Sequence, residues 1–221
     1  MRSQIAIVLT MVIVTLPTNN IFAAEKSVEL FNGRDLTGWT YHLDKPDIKM
    51  EDVWSVKDGV LACTGKPVGY LLTKKNDFEY YVLELEWRWP EKGGNNGALV
   101  HVTKPGALGV WPQCLEVQIA DQEAGDFWVI GTTLEIEKPE GRIKDRRHIN
   151  VSDGDEKPLG EWNKMEITCR GDEVLVKVNG KLVNHAKKLS QSKGAIGLQS
   201  EGTPIEYRNI KLTKLKNRSS R

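Results

Sequence analysis

Cysteine is scarce in this chain: 221 residues hold three, Cys63, Cys114 and Cys169. At most one pair can close, which excludes a disulfide-built scaffold. Each thiol reads first as a small buried hydrophobe, and whether Cys114 and Cys169 pair is left open. C-x-x-C, H-E-x-x-H and the glycine patterns of Walker and dinucleotide sites are missing as well. Thioredoxin-like, zinc-hydrolase and nucleotide-binding readings therefore lose their usual support. An excess of one charge is also missing, with 31 Lys and Arg against 30 Asp and Glu. The only basic accumulation, Lys211, Lys214, Lys216, Arg218 and Arg221, reads as a solvated end, which argues against nucleic acid as the main partner. No apolar run reaches the roughly 20 residues of a membrane span, and no stretch keeps helical periodicity over three turns.

The longest apolar run, Ile5 to Leu16, follows Arg2 and precedes Pro17 and the small pair Ala23-Ala24. That order predicts a secretory signal peptide over residues 1–24, cut after Ala23 or Ala24. No cysteine follows to accept lipid, so the mature protein is expected in the periplasm or outside the cell. What remains is expected to be one domain over 25–215, with a tail at 216–221.

What is present is turn chemistry between short β-branched or alternating runs. Asp58-Gly59 joins Trp54–Lys57 to Val60–Cys63, because Asp-Gly supplies the positive φ angles of a tight hairpin. Met165–Arg170, Glu173–Val178 and Lys181–Asn184, joined by Gly171-Asp172 and Asn179-Gly180, read as a three-strand meander. Longer strands are predicted over Phe78–Trp89, Gly97–Val102, Cys114–Ala120, Phe127–Ile136, Gly194–Ser200 and Ile205–Thr213. A dozen strands cannot form one flat sheet, so the expectation is an all-β, two-sheet sandwich of jelly-roll type. Residues 137–160, rich in charge and carrying two prolines, read as a long connection, either a functional lid or disordered.

Alternation along the strands separates a core face from an outer face. Leu83, Leu85 and Trp87 point inward and Glu84, Glu86 and Arg88 outward. Leu115, Val117 and Ile119 oppose Glu116 and Gln118, and His101 opposes Val100 and Val102. If these strands share a sheet, Glu86, Arg88, His101, Glu116 and Gln118 converge, with Asp126 and Trp128 entering from the next strand. The alternative is an ordinary solvated sheet face with scattered ion pairs. Trp111 and Trp128 lie near this cleft as rings able to stack on a sugar. Trp39, Trp54, Trp87 and Trp162 read as core mass.

These words occur in order: Leu30-Phe-Asn-Gly-Arg-Asp-Leu-Thr-Gly-Trp39, Gly93-Gly-Asn-Asn-Gly97, Glu116-Val-Gln-Ile-Ala-Asp121, Gly125-Asp-Phe-Trp128, Gly160-Glu-Trp-Asn163 and Gly194-Ala-Ile-Gly-Leu-Gln199 with Arg208-Asn-Ile210. In this series the chain resembles the 3-keto-disaccharide hydrolase domain family, from about Val28 to Leu215. The resemblance implies a concanavalin A-like lectin/glucanase fold, export, and action on a small oxidised carbohydrate. Where such domains often carry Asn-Ser-Gly and then Arg, this chain has Asn95-Asn96-Gly97 and then His101.

The expected reaction is cleavage of a 3-keto-glycoside by C2 deprotonation, loss of the C1 substituent and addition of water. Glu116 is the expected base, with Arg88, His101 or a bound divalent cation stabilising the enolate. Gln118 and Asn96 would anchor hydroxyls, and Glu86, Asp126, Trp128 and Trp111 would line the sugar site. Two rivals stand beside it: a direct glycosidase using Glu116 with Glu86 or Asp126, and a non-catalytic sugar-binding module on the same sandwich. The signal peptide is checked by N-terminal sequencing of exported protein, which should begin at Ala24 or Glu25; a chain still starting at Met1 overturns it.

Overall fold

A computed structural model describes residues 27–216; the expected signal peptide lies outside these residues. In chain order the elements are β1 (Ser27–Glu29), β2 (Trp39–Leu43), α1 (Met50–Val53), β3 (Trp54–Lys57), β4 (Val60–Cys63), β5 (Gly69–Thr73), β6 (Tyr80–Arg88), β7 (Gly97–Val102) and β8 (Cys114–Gln118). They continue with β9 (Phe127–Ile130), β10 (Glu135–Ile136), β11 (Ile143–Lys144), β12 (Arg147–His148), β13 (Asn163–Arg170), β14 (Glu173–Val178), β15 (Lys181–Lys187), β16 (Ala195–Ser200) and β17 (Ile205–Lys214). One nine-stranded sheet runs β10-β15-β14-β13-β6-β17-β4-β3, with β1 also on β17. The other, eight-stranded, runs β11-β12-β9-β8-β7-β16-β5-β2. Every named pairing is antiparallel, and the two sheets form the jelly-roll sandwich that the turn spacing predicts.

The core lies between the sheets because each contributes one side of its alternation. Leu83, Leu85 and Trp87 of β6, with Ile167, Val176 and Tyr207, meet Leu71, Ala98, Val100, Leu115, Val117, Phe127 and Leu198 of the other sheet. Burying such a side chain stabilises the fold by roughly 1.5–3 kcal/mol. The hairpin turns form as their residues dictate: Asp58 and Gly59 have φ of 50° and 78°, and Asn179 and Gly180 have 49° and 86°.

Two stretches depart from the sequence reading. The strand expected over Phe127–Ile136 breaks at Gly131, whose φ is 61°. β9 stays in the eight-stranded sheet, and β10 crosses to the nine-stranded one. The charged segment 137–160 is not a structureless connection. It contributes β11 and β12 to the edge beyond β9, and Arg142 staples it by donating to the carbonyls of Glu137 and Ile149 and to Asn184 Oδ1 at 2.7 Å.

Core position should decide stability. Leu85→Ala, at 1% exposure, is expected to cost about 2–5 kcal/mol in urea unfolding, whereas Leu182→Ala, at 44% exposure, should change it by under about 0.5 kcal/mol. Equal effects would place β6 outside the core.

Candidate functional site

The expected convergence of β6 with β7 and β8 fails, because β6 belongs to the nine-stranded sheet and its polar face looks away from both. Glu86 accepts from Arg208 Nε at 2.7 Å and Asn209 Nδ2 at 3.0 Å. Burial pushes its carboxyl up, but these hydrogen bonds and the Arg208 charge outweigh that and hold it low. Arg88 donates to Glu206 at 2.5 Å and stacks 4.6 Å from the centre of the Trp162 ring, which Arg208 also covers at 4.1 Å. Glu86 and Arg88 thus belong to an ion-pair lattice on an outer face, and Trp162 sits there between arginines rather than in the core.

His101 is turned the wrong way by a bulge. Val100 and His101 of β7 together oppose Ile196 of β16, because the register moves from Ala195↔Val102 to Gly197↔Leu99. His101 takes up the extra residue with φ of 54°. A bulge of this kind reverses the side-chain alternation. The ring is fully buried against Tyr81 of the core, 6.3 Å between centroids, with Nδ1 2.9 Å from the Gln191 carbonyl. Burial lowers its pKa to about 4 despite that bond. It is a neutral packed histidine.

Asn96 is fully buried and committed. Its Nδ2 donates to the Gln199 carbonyl at 3.0 Å, and its Oδ1 accepts from Gly97 N at 2.9 Å and from the Tyr207 hydroxyl. Fully buried and held in this way, it is out of reach of a sugar hydroxyl. Asp126 is likewise engaged, accepting from Arg147 Nε and Asn150 N, both at 2.7 Å. It lines a separate depression of about 300 Å³ with Gln122, Glu123, Arg147, Asn150 and Glu156, and Glu116 is not among the residues lining it.

What remains converges on the open face of the eight-stranded sheet. The register sets Gly97 beside Gln118, Leu99 beside Glu116 and Glu116 beside Trp128, while Leu198↔Ala98 brings Gln199 next to Gly97. Glycine is required at 97, because a Cβ there would lie 2.8 Å from both Gln199 Oε1 and Glu116 Oε1. Glu116 and Gln199 occupy the hollow that this missing side chain leaves. With its amide turned to satisfy its neighbours, Gln118 donates to the Asn96 carbonyl at 2.7 Å and to Glu116 Oε1 at 3.0 Å, and accepts from Trp128 Nε1 at 3.1 Å. Around this polar centre, Tyr70, Leu99, Val102, Cys114, Ile130 and Ala195 form a second apolar cluster, against which Trp111 packs half-buried.

The electrostatics single out two carboxyls. Burial, and then the charge of Glu201, push Glu116 up to about 8, against a hydrogen bond from Gln199 and the charge of Arg146. Burial pushes Glu201 to about 7, against a hydrogen bond from Asn95. Gln199 Oε1 is buried with no partner, an acceptor aimed into the site. Gln199, Glu201, Asn95 and Arg146 were not anticipated. Gln199 could have been, since it alternates with Ile196 and Leu198 as Gln118 does with Val117. Glu201 lies past the end of its strand and carries no alternation signal. Among the described residues no three His, Cys, Asp or Glu side chains are grouped to hold a metal ion, and Cys63, Cys114 and Cys169 are all unpaired and buried.

With this geometry the chain proves to match the 3-keto-alpha-glucoside-1,2-lyase-like domain over residues 26–213, and it belongs to that family. Among solved structures it is similar to a Parabacteroides distasonis protein named as a candidate glycosyl hydrolase, at 28% identity and a TM-score of 0.61 over 85% of this chain and 98% of that one. A second such protein from the same species is 21% identical with a TM-score of 0.63, over 86% and 94%. A Bacillus licheniformis beta-glucanase shares the fold at 14% identity and a TM-score of 0.56, over 87% and 99%. No curated protein matches the sequence. The sandwich is thus of the concanavalin A-like type.

The raised Glu116 carboxyl has a consequence for stability. The folded protein keeps a proton there between about 4.5 and about 8 that the unfolded chain releases, so this group's contribution is present below pH 4.5 and is lost as pH rises to about 8. Glu116→Gln removes that loss. Its melting temperature relative to wild type should therefore rise between pH 4.5 and pH 8.5, by several degrees at roughly 2–4 °C per kcal/mol. A pH-independent difference in thermal melts would contradict the buried carboxyl.

Proposed function

We propose that the protein cleaves glycosidic bonds of 3-keto-glycosides, with Glu116 as the base. The observation that carries this is a carboxyl at 5% exposure with its pKa near 8, set beside amide donors on the open face of the sandwich. A base for a carbon acid works best with a pKa near the operating pH, and an ordinary surface carboxylate is far too weak. A ketone at C3 acidifies the C2–H bond. Glu116 takes that proton, the electron pair moves to the C3 oxygen as an enolate, and its return forms the C1=C2 double bond and expels the C1 oxygen with its aglycone. Water added back at C1 completes a net hydrolysis. The family description, a 1,2-lyase, names the elimination half of this sequence.

Gln118 gives both N–H groups to the Asn96 carbonyl and Glu116 and so orients the base, and Gln199 provides an N–H group at the enolate side, in place of Arg88 and His101, which lie elsewhere. The rival two-carboxylate glycosidase loses both expected partners, since Glu86 faces outward from the other sheet and Asp126 is held by Arg147 and Asn150. The signal peptide expected over residues 1–24 supports placing this activity outside the cytoplasm.

Glu116→Gln keeps the shape and removes the proton acceptor. Turnover of a 3-keto-glucoside should fall by roughly 10²–10⁴, and the wild-type rate should climb as pH rises from about 5 to about 7 and Glu116 begins to ionise. A variant cleaving at the wild-type rate puts the base elsewhere. A wild type that binds the sugar without turnover makes this a binding module.

A further inference from the structure

Glu201 has no part in the step just described, yet the structure holds it against the same machinery. Asn95 and Gly202 form a parallel bridge, which brings the segment carrying Glu201 beside Gly94 and Asn95, and the Asn95 side chain hydrogen-bonds the Glu201 carboxyl. Gly94 is tight against the neighbouring segment, because a Cβ there would meet Thr203 Oγ1 at 2.2 Å. The Asn95 amide lies 3.1 Å from Gln118, and Gln118 reaches Glu116 at 3.0 Å. Asn95 thus lies beside Glu201 and Gln118 beside Glu116, with the two amide side chains 3.1 Å apart.

We propose that Glu201 is the general acid of the reaction, giving its proton to the C1 oxygen as the bond to the aglycone breaks. This rests on Glu116 being the base. One proton passes from C2 to Glu116 and one from Glu201 to the departing oxygen, so the aglycone leaves as a neutral alcohol. The enolate electron pair becomes the C1=C2 bond while the C3 carbonyl re-forms. No oxidant, reductant or further reactant is required, and one proton returned from Glu116 to Glu201 through solvent resets the pair.

Burial raises both groups, and the charge on Glu201 raises Glu116 further. Carboxyls that resist ionising together hold one proton between them over a span of pH, so one is a base while the other is an acid. Glu116, pushed up to about 8, ionises after Glu201, at about 7, so the reactive form, with the shared proton on Glu201, is the minor one of the singly protonated pair. Glu201, only half-buried, is the one nearer to solvent and to a departing aglycone. Glu116, almost fully enclosed, is suited to a proton taken from carbon.

Leaving-group chemistry tests this. p-Nitrophenolate departs without a proton and methoxide does not, so the roles of the two carboxyls are separated by comparing the p-nitrophenyl and methyl 3-keto-glucosides. Glu201→Gln should lower kcat/KM for the methyl compound by about 10²-fold or more and for the p-nitrophenyl compound by less than about tenfold. Glu116→Gln should lower both. Glu201→Asp, which keeps the proton, should recover part of the methyl-glucoside rate, which a merely structural role would not reproduce. Equal losses on the two substrates, or none, with active wild type would overturn the role of Glu201 alone. Wild type inactive on both would overturn the reading of Glu116 and this one with it.

Discussion

The open face depends on Asn96. Its side chain bonds a β16 carbonyl, the amide of Gly97 on β7 and the hydroxyl of Tyr207 on β17, and its own carbonyl accepts from Gln118. One residue thus ties the two sheets together directly beneath the carboxyl at Glu116. A buried amide held by three hydrogen bonds is a rigid support. Gly97 can remain bare, and Glu116 and Gln199 can fold over it, because the backbone there is fixed from below.

The two outer faces of the sandwich show opposite electrostatic solutions. On the nine-stranded sheet, Glu84, Glu86, Arg88, Lys164, Glu206 and Arg208 pair with one another in solvent. Such pairs contribute little individually. On the eight-stranded sheet, Glu116 and Glu201 have amides rather than cations as close partners, and their protons are held correspondingly harder.

Strand alternation read correctly which side of β6 and of β8 was polar, and it placed Glu116, Gln118 and Trp128 in one cluster. It failed for Glu86 and Arg88 because a two-residue period assigns a side chain to a face of its own strand and says nothing about which sheet that strand joins. It failed for His101 because one extra residue in β7 reverses the sides beyond it, and no residue type marks a bulge as clearly as Asp-Gly marks a hairpin. Gly131 is a comparable case, ending β9 in the middle of an apolar run that otherwise reads as continuous. The fold was legible because sandwich topology follows from turn spacing and alternation summed over many strands. The site was legible in part because it depends on single positions.

On one side of the sandwich, both sheets end in strands of two residues, β10 and β11. A sheet edge is a template for another chain's backbone, and its length and charge decide whether that template is usable. Here β11 presents only Ile143 and Lys144, flanked by Asp145 and Arg146, and Arg142 has already taken up nearby carbonyls. A second molecule would find too few free amides in a row to add a strand, so the crowded charges of this segment act against edge-to-edge aggregation in a protein built almost wholly of β-structure.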